Sequence, residues 1–226
     1  MKIIDAKELD EIVNDNDNID YFYQNQLIIK LTPNTQNKYV VKYALNYFYS
    51  DHDENEAIDR INSIYSLLNC VKCNEIKDNN LRFVNGIGVG NIFPKLMLVL
   101  QAGGDCAGKL PHENVISPRY MVIGTTSDFL KISLLKANVY FQSWITNLLK
   151  CVINNNGKTV RECYHNCSKI LNQEIKILQP QTIVAMSTDV SKVFTELRMP
   201  FYKLYHPMFY IYKNIKSKLA EDLARI

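Results

Sequence analysis

The sequence predicts an α/β fold in which a mainly parallel β-sheet carries helices on both faces. Three observations predict it. Strand-like and helix-like segments alternate from residue 94 to residue 226. KLMLVL (95–100) is a continuous apolar run between Pro94 and the turn QAGGDCAG, as a strand buried on both faces requires. TVRECYHNCSKILNQEIKIL (159–178) is a long amphipathic helix closed by Gln179-Pro180 and followed by the strand TIVAM.

The elements follow in order. A short helix is expected over Ile3–Val13, then a solvated turn at DNDNID. QLIIKL and KYVVKYALNYFY are β-prone runs separated by TPNTQN, as in a hairpin or pair of strands. Tyr39, Tyr43, Tyr47 and Tyr49 either stack on bases or pack as ordinary aromatics. DENEAIDRINSIYSLLNC places Ile58, Ile61, Ile64, Tyr65 and Leu68 at helical spacing and runs into Cys70 and Cys73. TSDFLKISLLKANVYF reads as a helix, WITNLL as a strand, SKVFTELR as a helix, FYKLY as a short strand and KNIKSKLAEDLARI as a terminal helix. Residues 1–50 are expected to form an extension and 51–226 the main domain.

Composition narrows the function classes. The chain of 226 residues is 47% hydrophobic and 22% charged, enough for a core and against global disorder. A net charge of +3 compels no nucleic-acid partner, so any basic patch is local. MKIIDAKELDEIV carries acids and no apolar core segment, so no secretory signal is expected. No run approaches the roughly 18 apolar residues of a membrane span. The expectation is an intracellular, non-secreted protein, in cytoplasm, nucleoid or a viral replication site, where clustered cysteines hold metal or do chemistry more often than they form disulfides.

Six cysteines occur: Cys70, Cys73, Cys106, Cys151, Cys163 and Cys167. Cys70-x2-Cys73 brings two thiolates to one centre from a single turn, and Cys151 with Cys167 is the best second pair; Cys163, one turn before Cys167, is the runner-up. By spacing, a zinc site and an iron–sulfur cluster read equally well, against the plain alternative of unrelated core and surface cysteines. In α/β folds the working groups sit at the carboxyl ends of strands, and three polar constellations fall there: QAGGD, Asn147, and Tyr205-His206-Pro207.

From residue 55 onward the order of motifs resembles the thermophile-type iron–sulfur uracil-DNA glycosylases. NGIGVGNIFPKLMLVL, LQAGG (100–104), WITNLLKC (144–151), CSKILNQEI (167–175), LQPQTIVAM (178–186) and LYHPM (204–208) carry the resemblance. It implies a three-layer α/β/α sandwich around a central, mainly parallel four-stranded sheet. It also implies a structural [4Fe–4S] cluster on Cys70, Cys73, Cys151 and Cys167, with structural zinc as the alternative.

The implied chemistry is cleavage of a C1′–N glycosidic bond in DNA, which needs a donor to a uracil carbonyl, a group orienting water and a pocket for the extruded base. By resemblance His206 donates to uracil O2, where the plain reading is a histidine capping a strand end. Asn147 reads the Watson–Crick edge, since an amide both donates and accepts; its plain reading is a turn asparagine. The family's water-activating glutamate falls on Gln101, beside Ala102, and its proline on Gly103; glutamine holds water but takes no proton. Asp105 is the nearest substitute carboxylate. The family's base-stacking phenylalanine falls on Val122, with Tyr120 close by. After His206, Met208, Phe209 and Tyr210 stand where the family wedges a loop into the duplex, with Lys213 and Lys216 for phosphates; alternatively the aromatics pack on the terminal helix. The changes at Gln101, Gly103 and Val122 sustain a second expectation, a glycosylase-fold DNA-binding or replication-associated protein with weakened or lost catalysis. A monomer is expected, with residues 1–50 free to dock a protein partner.

Overall fold

The structure is a computed structural model and describes residues 2–4, 38–42, 45–49, 52–67, 82–83, 88–102, 115–116, 125–150 and 160–226. In chain order these form β1 (Lys2–Ile4), β2 (Lys38–Lys42), β3 (Leu45–Tyr49), α1 (Glu54–Ser66), β4 (Arg82–Phe83), β5 (Val89–Asn91), β6 (Leu96–Leu100) and β7 (Val115–Ile116). Then follow α2 (Thr125–Lys136), a 3-10 turn at Tyr140–Gln142, β8 (Ser143–Asn147), α3 (Val160–Leu178), β9 (Thr182–Ala185), α4 (Thr188–Glu196), β10 (Tyr202–Lys203), α5 (Pro207–Tyr212) and α6 (Lys216–Ala224).

The expected four parallel strands are the heart of the sheet. β6 pairs in parallel with β8 on one side and β9 on the other, and β10 pairs in parallel with β9. Four more strands extend the β8 edge, giving the order β1-β2-β3-β5-β8-β6-β9-β10. β5 is antiparallel to β8 and parallel to β3, and β2 is antiparallel to both β1 and β3. Thus the described strands of the expected extension continue the sheet of the main domain. Lys2–Ile4 is a strand, where a helix over Ile3–Val13 was expected; its three residues pair with Tyr39–Val41, and that pairing outweighs local helical spacing. QLIIKL lies outside the described residues. β4 and β7 form a separate two-stranded parallel pair.

Side-chain alternation builds the layers. Leu96, Leu98 and Leu100 of β6 pack with Leu130 and Leu134 of α2, Tyr210 of α5, and Leu219 and Leu223 of α6. Met97 and Val99 point the other way, against Leu171, Ile175 and Leu178 of α3 and Val190 and Phe194 of α4. Ala57, Ile61 and Ile64 lay α1 on that same side. The result is the three-layer α/β/α sandwich.

The helices divide between faces because the chain changes direction. It moves from β6 to β8 through α2, then crosses back over β6 to β9 through α3, and right-handed crossovers of opposite direction lie on opposite faces. The direction of the chain thus reverses between β6 and β8, the kind of switch point at whose carboxyl side α/β folds bind their ligands.

A buried polar cluster pins β8 to α3. Glu174 is fully buried, and its carboxylate accepts from Trp144 Nε1 (2.7 Å), Gly88 N–H (3.1 Å), Thr146 Oγ1 (3.2 Å) and Lys150 Nζ, itself only 1% exposed. Lys150 also donates to Thr146 Oγ1 at 2.6 Å. Burying a charge is tolerable when its lone pairs are satisfied this completely. Gly88 is required by closeness: a Cβ there would sit 2.3 Å from Trp144 Nε1. Gly90 is required by its backbone, with φ of 125°.

Candidate active site

The carboxyl ends of the four parallel strands bring the main polar constellations to one edge. Leu100 and Asn147 are register partners, so the chain leaves β6 and β8 at the same level. Leu148 N–H donates to Leu100 O at 2.8 Å and Leu149 N–H to Gln101 O at 2.9 Å, holding the two exits together past the last strand residues. On the far side Met186 N–H donates to Val99 O and Leu204 N–H to Ala185 O, which places Ser187 and the Tyr205–His206 segment on this same edge.

Asn147 ends β8 and is buried, 4% exposed. Two-residue alternation sets it on the face of Ile145, the side of α2, α5 and α6, while Thr146 turns to Glu174 beneath. The Lys150–Glu174 cluster thereby steadies the strand that presents Asn147.

His206 is the N-cap of α5, and Pro207 occupies the first helical turn, where its missing N–H costs nothing. The imidazole Nδ1 accepts from Met208 N–H at 3.3 Å. An accepting Nδ1 is unprotonated, so in the neutral ring the proton resides on Nε2, which becomes a donor. Burial lowers the His206 pKa from the ordinary 6.5 and keeps the ring in this form. His206 thus caps a helix and also presents a neutral N–H donor; the two readings of this residue coexist.

The segment after His206 is the helix α5, where a loop was expected. Its apolar spacing buries Pro207 and Tyr210. Tyr210 is 2% exposed, packs in the core of the α2–α6 face and donates to Asp222 Oδ2 of α6 at 3.2 Å; burial and that carboxylate push its pKa up to about 12. Of the two readings of this segment, Tyr210 therefore follows the one in which the aromatics pack on the terminal helix, and not the one in which it faces DNA. Phe209 packs against the same core and stacks on Tyr205, ring centroids 4.2 Å apart, so the aromatics this segment leaves on the surface are Tyr205, 59% exposed, and Tyr212, 80% exposed. Met208 is half-buried and Lys213 and Lys216 are exposed.

Gln101 follows β6 directly and turns to the α3–α4 side. Its Nε2 donates to the Tyr164 hydroxyl at 2.7 Å and to Asp189 Oδ2 at 3.0 Å. Neither partner was expected from sequence. Asp189 stands in the first turn of α4, capped by Ser187 accepting from Val190 N–H, directly after a parallel strand; the strand-end rule that singled out QAGGD and Asn147 reaches it too. Ala102, next to Gln101, is exposed.

Cys167 is buried on α3 beside Cys163 and Leu149, and Lys150 N–H lies 3.5 Å from its Sγ. Cys70, Cys73 and Cys151 lie outside the described residues, as do Gly103, Asp105, Tyr120 and Val122. Among the described residues no group of three or more His, Cys, Asp or Glu side chains is arranged to hold a metal ion. No described helix is long and apolar enough to cross a membrane.

The α/β sandwich thus sets an amide, an imidazole donor and a polar turn on the carboxyl edge of its parallel strands, the edge at which α/β folds bind their ligands. Residues 87–224 match the Uracil DNA glycosylase superfamily, and the chain belongs to that superfamily. A search of curated proteins finds no match to the chain.

Proposed function

We propose that this protein hydrolyses the N-glycosidic bond of uracil in DNA, leaving an abasic site. The observation that carries the reading is the His206 hydrogen bond: Nδ1 is committed to Met208 N–H, so Nε2–H is the group left to donate to uracil O2 as negative charge gathers on the departing base. Asn147, buried on the same edge, carries an amide acceptor for uracil N3–H and an amide donor for uracil O4, and an amide held in that one orientation opposes cytosine, whose N3 and N4 reverse the pattern. Tyr205 and the lysines beyond α5 provide a stacking and phosphate-facing surface beside that donor.

The experiment is incubation with a uracil-containing oligonucleotide followed by alkaline cleavage of abasic sites. Strand scission that disappears in His206→Ala supports excision. Absence of scission at stoichiometric protein rejects it and favours the second reading, a glycosylase-fold DNA-binding protein, which one observation supports: the residue after β6 is the neutral Gln101 and not a carboxylate.

We also propose a structural [4Fe–4S] cluster on Cys70, Cys73, Cys151 and Cys167, with structural zinc as the alternative. What supports the reading is that the backbone N–H reaching the Cys167 sulfur belongs to Lys150, the residue before Cys151 in sequence. Leu67, just past α1 and three residues before Cys70, packs against the core cluster that includes Leu171 of α3. When bound, such a cluster supplies a cross-link between α1, β8 and α3, and nothing in base excision draws on its electrons. Iron and inorganic sulfide in the purified protein support it; stoichiometric zinc supports the alternative. We further propose a monomer, with a protein partner, if any, meeting residues 1–50.

A further inference from the structure

Gln101 is bonded through one edge of its amide. Among the described residues its side-chain hydrogen bonds all run through Nε2, to Tyr164 and to Asp189, and the Tyr164 hydroxyl itself lies 3.3 Å from the same Asp189 oxygen. An ionised carboxylate only accepts, so the NH2 edge is the one that can face it. The flipped amide would set Oε1 against Oδ2. Orientation is therefore chemical, and Oε1 is left on the opposite edge of the amide, away from Asp189.

We propose that Asp189, acting through the Gln101 amide, supplies the negative charge with which this site orients water and steadies a cationic sugar, while Tyr164 holds the amide and the carboxylate in register. The inference rests on the uracil-excision reading above and deepens it. Gln101 Oε1 is the group that touches water; Asp189 and Tyr164 are positioning residues.

The physical ground is polarisation. An amide that donates to a carboxylate shifts electron density toward its oxygen, which becomes a stronger acceptor. Asp189 lies in the first turn of α4, where the helix dipole interacts favourably with a carboxylate. Tyr164 remains a phenol: burial raises its pKa, the Gln101 bond lowers it and Asp189 raises it again. Lys192 Nζ approaches Asp189 Oδ1 at 3.9 Å, but on an exposed surface where such a pair is weak.

The reaction balances without a base at position 101. The C1′–N1 bond breaks with its electron pair leaving on uracil, and a water oxygen bonds to C1′. The proton lost from that water passes to the uracil anion or to solvent. Gln101 contributes direction and Asp189 contributes charge, which divides between two residues what a single carboxylate would do.

The test is single-turnover uracil release by the full chain carrying Asp189→Asn, Tyr164→Phe, Gln101→Glu, or the exchanged pair Gln101→Glu/Asp189→Asn. Asp189→Asn keeps shape and removes charge. It is expected to slow the chemical step roughly 10- to 100-fold, less than the 10²–10³ of losing a direct transition-state donor, with KM and melting temperature little changed. Gln101→Glu alone sets two carboxylates together and is expected to lose both rate and stability. The exchanged pair restores an amide–carboxylate bond with the charge on the water side, and is expected to release uracil at least tenfold faster than Asp189→Asn. An unchanged rate in Asp189→Asn, or a loss confined to melting temperature, overturns the inference while leaving the glycosylase reading intact. A wild-type chain that releases no uracil overturns both.

Discussion

The Nδ1 of His206 accepts the backbone N–H of Met208 at 3.3 Å, and this one bond assigns the ring its proton, its orientation and a structural duty. The same nitrogen cannot accept once the ring is protonated. Capping, burial and the positive end of α5 all favour the neutral form.

A pH dependence follows with a definite sign. The folded pKa of His206 is lowered below the ordinary 6.5, so the unfolded chain binds a proton at higher pH than the native one. Its stabilising contribution is complete above about pH 6.5 and is lost as pH falls through the folded value. Uracil release is expected to persist below pH 6.5 before an acid limb appears. A pH–rate profile under single-turnover conditions checks this; a limb centred at or above 6.5 contradicts it.

His206→Asn separates the two duties of the residue. Asparagine is a good N-cap, so stability is expected to stay within about 1 kcal/mol of wild type, whereas excision falls by roughly 10²–10³. Comparison of thermal melts with rates for His206→Asn and His206→Ala reads the difference.

Asn147→Ala removes the amide and leaves the fold of β8 to the cluster below. Its expected effect is a loss of roughly 10–100-fold in uracil release, with DNA affinity nearly unchanged because phosphate contacts supply most of that affinity. Filter binding beside the cleavage assay would reveal a parallel loss of affinity, and that result would remove Asn147 from base reading.

Glu174→Ala is expected to destabilise by about 3–5 kcal/mol, because it strands Lys150 in the interior. Pairing it with Lys150→Met is expected to recover only part of the loss. Trp144 Nε1 and Gly88 N–H still lack their acceptor, and each such orphan costs about 1–3 kcal/mol. Denaturant titration of the single and double variants measures the coupling.

Gly88→Ala adds a methyl 2.3 Å from Trp144 Nε1 and 2.4 Å from Ile145 O. Backbone must move, and a loss of roughly 1–3 kcal/mol is expected. An unchanged melting temperature would show that the segment before β5 shifts freely.

Much of the architecture was legible because it rests on short-range periodicity. LMLVL is an uninterrupted apolar run and SWITN and TIVA are short β-prone runs, all suited to a sheet covered on both sides, and α3 shows its helical spacing over five turns. The strand-end positions of Asn147, the last residue of β8, and His206, three residues past β10, were legible too, because each closes a β-prone run in the sequence. The helical form of 207–212 was less so: PMFYIY reads as a bulky surface loop until Tyr210 is seen to reach Asp222.

Partnerships across the chain were not legible. Glu174 lies three residues after Leu171 and four before Leu178, on the apolar face of its helix, and the sequence alone leaves it a solvated charge in the wrong place. Only when β8 is laid against α3 does Lys150 meet it.

By itself the sequence determined the layers, the parallel strands and which polar residues stand at their ends, because alternation and helical spacing are properties of neighbours. Tertiary structure alone decided that Gln101 meets Tyr164 and Asp189, 63 and 88 residues away, and that Tyr210 turns inward. Those contacts arise where separate elements are packed together, and no local pattern encodes which distant side chain will fill the space across a crevice.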